Sequence, residues 1–233
     1  MSPNPFDCFL FKPTKVLTFT EENYLKAIYH LEISSEKKET STNTIAEHLA
    51  IKPATVTAML KKLNDKKYIS YQKYGKVSLS KTGKNIALQI VRKHRLWEVF
   101  LVDKLDFTWD EIHEIAEQLE HIQSAKLIDK LDEFLKFPAF DPHGDPIPNT
   151  KGIIHEHVRK TLSEAKLGVV YKVIAVKDTS SEFLQYLMQL HITLSTKIKV
   201  ISKFEFDNSL LILINNKREI TISEKFSQHI IIA

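Results

Sequence analysis

The feature that most restricts the fold of this 233-residue chain is the order of predicted elements between Thr42 and Ser80. A short amphipathic helix opens at Thr42 or Thr44, and a turn leads to Pro53. Proline is favoured in the first turn of a helix because its missing amide donor is not needed there. A second helix therefore starts at Pro53, and residues 68–80 then alternate as a short hairpin. Helix, turn, helix and hairpin in this order predict a winged helix-turn-helix.

Charge is segregated along the chain. Residues 52–95 hold twelve Lys and Arg against one acidic residue, Asp65, whereas residues 98–145 hold four Lys against thirteen Asp and Glu. A basic run alone is also compatible with a solvated surface, because long-range electrostatics do not depend on sequence. Its position on a DNA-reading pattern favours a polyanion as partner. The acidic block that follows favours cations.

The second helix of this pattern is the candidate recognition helix. Small and polar residues at its start let the backbone approach base edges, and flanking cations can hold phosphates. The candidate DNA-binding residues are Lys52, Pro53, Ala54, Thr55, Thr57, Lys61 and Lys62 in the helix, with Lys73 and Lys76 at the hairpin tip. The alternative is a wing-shaped fold that contacts proteins instead.

Bulk properties restrict the class of protein. No stretch approaches the roughly 20 apolar residues of a membrane span, and residues 1–17 lack a secretory signal. The single cysteine, Cys8, excludes an internal disulfide and fits a reducing compartment. We therefore expect a cytoplasmic protein without a membrane partner, with residues 1–17 as an N-terminal extension.

Downstream helices carry a pattern of metal-ligand residue types. Helices are predicted from about Thr18 or Thr20 to before Ser34, and over residues 83–105, 108–122 and 124–137. The candidates share helix faces through spacings of three and four: His94 and Glu98 on one helix, and His113, Glu117, Glu120 and His121 on the next. Any one of them alone is compatible with a solvated side chain. Six together on two neighbouring helices predict a site for a divalent cation.

The predicted secondary structure changes from helices to a connector and strands after residue 137. Residues 138–152 contain four prolines and two glycines, which predicts an extended connector. Strands are predicted over residues 169–176, 197–206, 210–214, 219–223 and 229–232, with a helix over 181–190. The expected fold is mainly α with a small β domain at the C-terminus.

Residues 19–148 resemble the diphtheria-toxin-repressor family, which includes iron-dependent repressors and manganese transport regulators. The motifs that carry the resemblance are ENYLKAIY at 22–29, IAEHL at 45–49, PATVT at 53–57, RKHRL at 92–96, EH at 120–121 and GDPIP at 144–148. The resemblance implies a three-domain protein, with a DNA-binding domain over 18–82, a helical dimerisation and metal-binding domain over 83–150, and an SH3-like domain over 151–233. It also implies a homodimer that binds palindromic operator DNA when loaded with metal and controls metal-uptake genes.

The resemblance also assigns ligands. The family's primary site maps to Asn23, Glu117, Glu120 and His121, with His94 close by, and its second site maps to His94, Glu98 and sometimes His113. A three-domain subgroup adds Asp141, His143 and Asp178 to the second site. Glu117 stands where iron-type members have Cys, so a shell of oxygen and imidazole donors favours Mn²⁺, with Fe²⁺ as the alternative. Manganese-type members usually have Asp at the position of Asn23, and an amide there removes one negative charge.

Two other classes of protein fit parts of the pattern. A di-iron carboxylate enzyme repeats Glu-x-x-His on two helices, but no His in this chain has Glu three residues before it. No nucleophile elbow, Walker loop or zinc-protease helix is present either, so we expect no enzyme and no small organic substrate. A metal-independent winged-helix regulator stays open as the second alternative. Trp97, Phe100 and Leu101 are candidates for a dimer face or for the core, and His155 and His157 for additional ligands or a solvated pair.

Overall fold

The computed structural model describes residues 17–34, 40–71, 76–154 and 160–233. It divides into two compact units, Met1–Ala87 and Leu88–Ala233. The helices are α1 (Phe19–Ser34), α2 (Thr42–His48), α3 (Pro53–Asp65), α4 (Lys81–Leu105), α5 (Ile112–Leu119), α6 (Ala125–Phe134), α7 (Ser181–Gln189) and α8 (Glu224–His229). The strands are β1 (Ile69–Tyr71), β2 (Val77–Leu79), β3 (Lys160–Thr161), β4 (Val170–Val176), β5 (Lys197–Lys203), β6 (Leu210–Ile214), β7 (Arg218–Ile222) and β8 (Ile230–Ile232). Within the described ranges, none of these helices combines the length and apolar content that crossing a membrane requires.

The first unit has the predicted winged helix-turn-helix order. β1 and β2 form an antiparallel hairpin in which Ser70 lies opposite Ser78. Apolar side chains of all three helices form the core beneath it: Leu25, Ile28, Ile45, Val56, Leu60 and Leu63 are fully buried. Burial of each such side chain stabilises the fold by roughly 1.5–3 kcal/mol. The hairpin tip at residues 72–75, with the candidate Lys73, lies outside the described residues.

A serine cap and a proline explain where the two helices of the motif begin. The Ser41 hydroxyl accepts the Thr44 amide at 3.1 Å, so α2 starts at Thr42, one of the two starts that the sequence predicted. α3 begins at Pro53, also as predicted, and Lys52 precedes it in an extended conformation. The Ser41 cap satisfies an amide that α2 itself leaves without a partner. Lys52 makes no side-chain cap, and Pro53 at the start of α3 has no amide to satisfy.

The start of α4 differs from the prediction by two residues. Ser80 caps it, because its hydroxyl accepts the Gly83 amide at 3.1 Å and its carbonyl accepts the Lys84 amide at 2.8 Å. Gly83 is therefore inside the first turn and does not mark the start. Glycine is required at position 83 because a Cβ there would lie 1.9 Å from the Tyr68 carbonyl oxygen.

α5 and α6 are shorter than predicted. Thr108 does not cap α5. Its hydroxyl and amide instead bind the carboxylates that follow, forming a turn before the helix begins at Ile112. α5 ends at Leu119, so Glu120 and His121 follow the helix and do not belong to it. Ser124 caps α6 as predicted, but positive φ angles at Lys136 and Phe137 stop the helix early.

Two of the three candidates for a dimer face are buried in the core of the helical domain. Trp97 and Leu101 are 9% and 3% exposed, and Trp97 packs in a cluster with Leu96, Val99, Ala116, Ile128, Leu131 and Ile147. Phe100 is half-buried, with its ring 5.8 Å from that of Trp97. Trp97 and Leu101 thus contribute to the core of the chain itself.

The C-terminal domain is a six-stranded antiparallel sheet in the order β3-β8-β4-β5-β6-β7, with α7 and α8. β5 ends at Lys203, three residues before the predicted end, whereas β6 has the predicted bounds. The sequence analysis missed β3 and α8. β3 has two residues and α8 has six, so neither is long enough to display a period.

Candidate metal centre and DNA-binding element

The helical domain brings imidazoles and carboxylates together around His94 of α4. Nε2 of His94 lies 3.0 Å from Oε1 of Glu98, one turn later on the same helix. Nδ1 of His94 lies 2.6 Å from Oε2 of Glu120, which follows α5. His94 therefore faces a different carboxylate with each ring nitrogen, and both carboxylates are buried.

Two groups of ligand atoms form on the two sides of this imidazole. His94, Glu98 and His113 make up one group, and His94, Glu117 and Glu120 make up the other. Within each group the donor atoms lie within 4.8 Å of one another. His113 is about half exposed and Glu117 about one third, so the cluster is buried at its centre and reaches solvent at α5.

His143 approaches the first group from the proline-containing connector. Its Nε2 lies 3.7 Å from Oε1 of Glu98, and its ring lies edge-on to Trp109. Both ring nitrogens are buried and lack a hydrogen-bond partner within the described part of the chain. A buried imidazole normally finds a partner, because an unsatisfied polar group costs roughly 1–3 kcal/mol. A ligand that accepts a nitrogen lone pair would remove that cost.

The electrostatics of the cluster suit a cation. Burial raises the pKa of Glu98, but the imidazoles of His94, His113 and His143 outweigh burial and leave that pKa well below its usual range. Burial lowers the pKa of His143, so its imidazole stays neutral and keeps a lone pair on one ring nitrogen. Ionised carboxylates and neutral imidazoles are the forms that bind divalent metals. The donor set contains oxygen and nitrogen only, which suits a hard to intermediate cation such as Mn²⁺ or Fe²⁺.

The other sequence-predicted ligands lie outside these two groups. His121 is buried next to Glu120, with Nε2 3.9 Å from Oε1 of that carboxylate. Asp178 accepts the Ser180 amide at 2.9 Å, at the end of β4. Asn23 lies in α1, and its Oδ1 is buried and accepts no hydrogen bond from the described residues. His155 and His157 are not among the described residues.

Asp141 has several partners inside the connector. Its Oδ1 accepts the amides of His143 and Asp145 at 2.9 and 2.8 Å, and its Oδ2 lies 3.4 Å from Nε of Arg95. Burial and the nearby carboxylates of Glu98 and Asp145 raise its pKa. In this arrangement Asp141 closes the turn that presents His143.

Sequence analysis missed the residues that hold the connector in place. Arg92 donates to the Pro148 carbonyl at 2.8 Å and to Asp132 at 2.5 Å, and Arg95 donates to the Pro146 carbonyl at 2.6 Å. The signal was their i, i+3 spacing on either side of His94, which puts both on one face of α4. They fix the backbone that follows the turn that carries His143.

Gly144 fits the same turn against the β domain. Its φ is +87°, and a Cβ there would lie 2.0 Å from the Ile174 carbonyl oxygen. The Val176 amide donates to the His143 carbonyl at 2.9 Å. Glycine is thus required both by the conformation and by the close approach to β4.

Most of the described candidates for DNA contacts are exposed, and two of them contact other residues of the chain. Ala54, Thr55 and Lys61 are exposed, as are Lys52, Pro53 and Lys76. Thr57 is half-buried, and its hydroxyl donates to the Pro53 carbonyl at 3.0 Å. Lys62 is also exposed, but its Nζ lies 3.1 Å from the buried carboxylate of Glu21.

Three family models match consecutive parts of the chain. The iron-dependent repressor N-terminal DNA-binding domain matches residues 16–77, the iron-dependent repressor metal-binding and dimerisation domain matches residues 80–149, and the FeoA domain matches residues 160–233. Together they cover the same succession of a winged helix, a helical domain and a small β domain.

Curated relatives are named for metal-dependent regulation and for metal transport. The transcriptional regulator MntR of Bacillus pumilus is 35% identical over 50% of this chain and 78% of its own length. The repressor IdeR of Mycobacterium tuberculosis is 33% identical over 57% of this chain and 56% of its own length. A probable metal transport system membrane protein of Chlamydia trachomatis is 44% identical over 71 residues, and the chain covers only 16% of that protein.

Solved structures with a similar fold are also named as metal-dependent regulators. A manganese-dependent transcriptional repressor in complex with manganese has a TM-score of 0.79 at 31% identity, covering 91% of this chain and 99% of that one. The manganese regulator SloR has a TM-score of 0.70 at 32% identity, covering 91% and 97%. On these matches, the chain belongs to the iron-dependent repressor family of transcriptional regulators.

Proposed function

We propose that this chain is a manganese-responsive transcriptional repressor that binds operator DNA as a homodimer when its helical domain is loaded with metal. It is a regulator and not an enzyme. The observation that supports this most directly is the position of His94, whose two ring nitrogens face the two ligand groups from a buried position. No step of the proposal requires chemistry beyond reversible metal binding and DNA binding.

The proposed ligands follow the two groups. The second site uses His94, Glu98 and His113, and His143 is the added donor because its nitrogens lack other partners in the described structure. The primary site uses Glu117, Glu120 and His121 together with Asn23. Asp141 and Asp178 are weaker candidates, since each already accepts backbone amides.

The proposed domains remain those of the sequence analysis, with boundaries near residues 82 and 150. A divalent cation supplies positive charge among carboxylates that otherwise repel one another. Since Asn23 lies on α1 of the DNA-binding domain, its use as a ligand would couple that domain to the metal state. Metal would then shift the population toward one arrangement, provided that arrangement binds metal more tightly.

Manganese is the proposed metal because Glu117 gives an oxygen donor where a thiolate would favour softer ions. The relatives include proteins named for manganese and proteins named for iron. Fe²⁺ prefers similar ligands, so it is the alternative that the experiment must distinguish.

The proposed DNA contacts are made by the exposed start of α3. Pro53, Ala54 and Thr55 are small enough to let the helix approach base edges, and Lys52 and Lys61 are exposed for phosphates. Lys73 and Lys76 remain the proposed wing contacts.

The test is DNA binding by the full-length protein at fixed salt, with a duplex selected from a random library by the Mn²⁺-loaded protein. Affinity is measured in chelator and in Mn²⁺, Fe²⁺ (without oxygen) and Zn²⁺. We expect binding in Mn²⁺ to be about 5–150-fold tighter than in chelator, the usual range of allosteric coupling. Equal affinity in metal and chelator would reject the proposal, and a response to Fe²⁺ alone would change the metal.

A matched pair of variants connects the response to the cluster. Glu120→Gln removes a charge from a buried ligand, whereas Glu114→Gln removes the same charge from an exposed position on α5 outside both groups. The proposal predicts that Glu120→Gln loses the metal response and that Glu114→Gln keeps it.

A further inference from the structure

The first unit contains a buried charge that is separate from the DNA-reading surface. Glu21 of α1 is completely buried. Its Oε1 lies 2.5 Å from Nζ of Lys66 and 3.1 Å from Nζ of Lys62, while its Oε2 accepts the Thr18 amide at 3.0 Å. A single carboxylate therefore contacts the first turn of α1 and two lysines of another element.

The two lysines stand at the end of the recognition helix. Lys62 is in the last turn of α3 and Lys66 is its C-cap, where a cation is also favoured by the helix dipole. Most of the packing of α3 is against α2 and β1, and most of the packing of α1 is against α2 and β2. The Glu21 contacts thus link α1 directly to the end of α3.

At its other end, the same carboxylate is fixed to its own helix. The Glu21 amide donates to the Thr18 hydroxyl at 3.3 Å while Oε2 accepts the Thr18 amide, which is a reciprocal capping box. The carboxylate is held at both ends, so a movement of the first turn of α1 shifts the point to which Lys62 and Lys66 bind. A buried carboxylate that loses its cations is strongly destabilised, which favours movement of the two helices together.

We propose that Glu21 is a positioning residue that couples metal binding at α1 to the orientation of the recognition helix through Lys66 and Lys62. This rests on the proposed function, because Asn23, two residues after Glu21, is the proposed ligand on α1. Lys62 then serves as a tether and not as a phosphate contact. Glu21 itself binds neither metal nor DNA.

The test compares full-length wild type with Glu21→Gln and with the control Glu47→Gln, which removes the same charge from an exposed position on α2. DNA affinity is measured in chelator and in Mn²⁺ with the selected duplex, and Mn²⁺ affinity is measured by calorimetry. We expect Glu21→Gln to reduce the ratio of the two DNA affinities by about tenfold, within the usual range of coupling. Its Mn²⁺ affinity in the absence of DNA should change by less than about threefold, because Glu21 is not a ligand and the lost coupling appears only when DNA and metal are both bound.

A second readout does not depend on DNA. Hydrogen exchange of the amides of residues 61–66 is measured with and without Mn²⁺. Wild type should gain protection there on adding Mn²⁺, and Glu21→Gln should not. Lys66→Met, which cuts the other end of the contact, should behave like Glu21→Gln.

Several outcomes would overturn the proposal. The first is a Glu21→Gln variant whose ratio of DNA affinities in Mn²⁺ and in chelator is unchanged. The second is an equal loss of DNA affinity with and without Mn²⁺. The third is a gain of DNA affinity in chelator with a steeper salt dependence, which would mean that Glu21 withholds its lysines from phosphates. If wild type itself shows no difference between Mn²⁺ and chelator, the proposed function fails instead. If Glu21→Gln does not fold, Lys66→Met decides the question.

Discussion

Nδ1 of His94 lies 2.6 Å from Oε2 of Glu120, and Nε2 of the same ring lies 3.0 Å from Oε1 of Glu98. One imidazole of α4 is therefore common to two carboxylates that reach it from different elements. The two ligand groups are not independent, since both contain this ring.

Removing the His94 ring should weaken Mn²⁺ binding at both ligand groups, whereas removing the charge of Glu98 should weaken it at one. We expect His94→Ala to weaken both Mn²⁺-binding events: by about 10–100-fold at the primary site, where the ring acts through Glu120, and by more than that beside Glu98, where it is a ligand. Glu98→Gln should weaken only one event. Calorimetric titration of Mn²⁺ into the apo protein measures this, and a His94→Ala variant that keeps one tight site would contradict the shared role.

Asn23 is the one proposed ligand whose side chain cannot carry a charge. Replacement by Asp should tighten Mn²⁺ binding by about tenfold, roughly 1.4 kcal/mol, because affinity for hard cations rises with the charge of the ligands. Competition with a fluorescent chelator gives the affinity. Unchanged affinity in Asn23→Asp would argue that this residue is not a ligand.

Gly144 and Gly168 form a matched pair for the role of the connector turn. Both have positive φ, +87° and +76°, but a Cβ at Gly144 would lie 2.0 Å from the Ile174 carbonyl oxygen, whereas a Cβ at Gly168 meets nothing within 4 Å. Gly168→Ala should cost only the backbone strain, about 1–2 kcal/mol. Gly144→Ala should cost clearly more, about 3 kcal/mol or above. Urea unfolding of the two variants measures the difference, and equal costs would mean that the turn does not pack on β4 as described.

The contribution of Glu21 to the stability of the folded protein should fall at acidic pH. Burial by itself raises the pKa of Glu21, but hydrogen bonds from Lys66, the Thr18 amide and Lys62 outweigh it and lower the pKa to about 2. A lowered pKa in the folded state stabilises the protein above the unfolded value of about 4.5, and that stabilisation is lost as pH falls toward 2. Carbon-detected NMR titration of the side-chain carboxyl should therefore give a pKa far below the unfolded value. Titration near 4.5 would contradict the buried tether.

The sequence predicted the elements that have a period or a distinctive residue. Pro53 fixed the start of α3, and the spacing of His94 and Glu98 placed two ligands on one face of α4. The assignment of Glu120 and His121 to α5 was wrong, because residue spacing continues past the point where a helix ends. The carboxylate of Glu120 nevertheless reaches His94, from the turn that follows the helix.

The contacts that hold the site together could not be predicted from the sequence. Arg92 and Arg95 bind carbonyl groups of the connector more than fifty residues later in the chain, and sequence spacing within α4 carries no information on those partners. Glu21 was unremarkable among the acidic residues of α1, and Lys62 was assigned to DNA because it lies in the basic run. Only the fold shows that these two side chains meet.

The central claim is that one ring nitrogen of His94 binds the metal beside Glu98, while the N–H of its other nitrogen donates to Glu120, a ligand of the primary site. Anomalous diffraction from crystals grown with Mn²⁺ tests it most directly. The account predicts two manganese peaks per chain, one beside Glu98 and one beside Glu120, with His94 between them. Manganese bound only elsewhere, or a His94 ring that contacts no ion at saturating Mn²⁺, would contradict it.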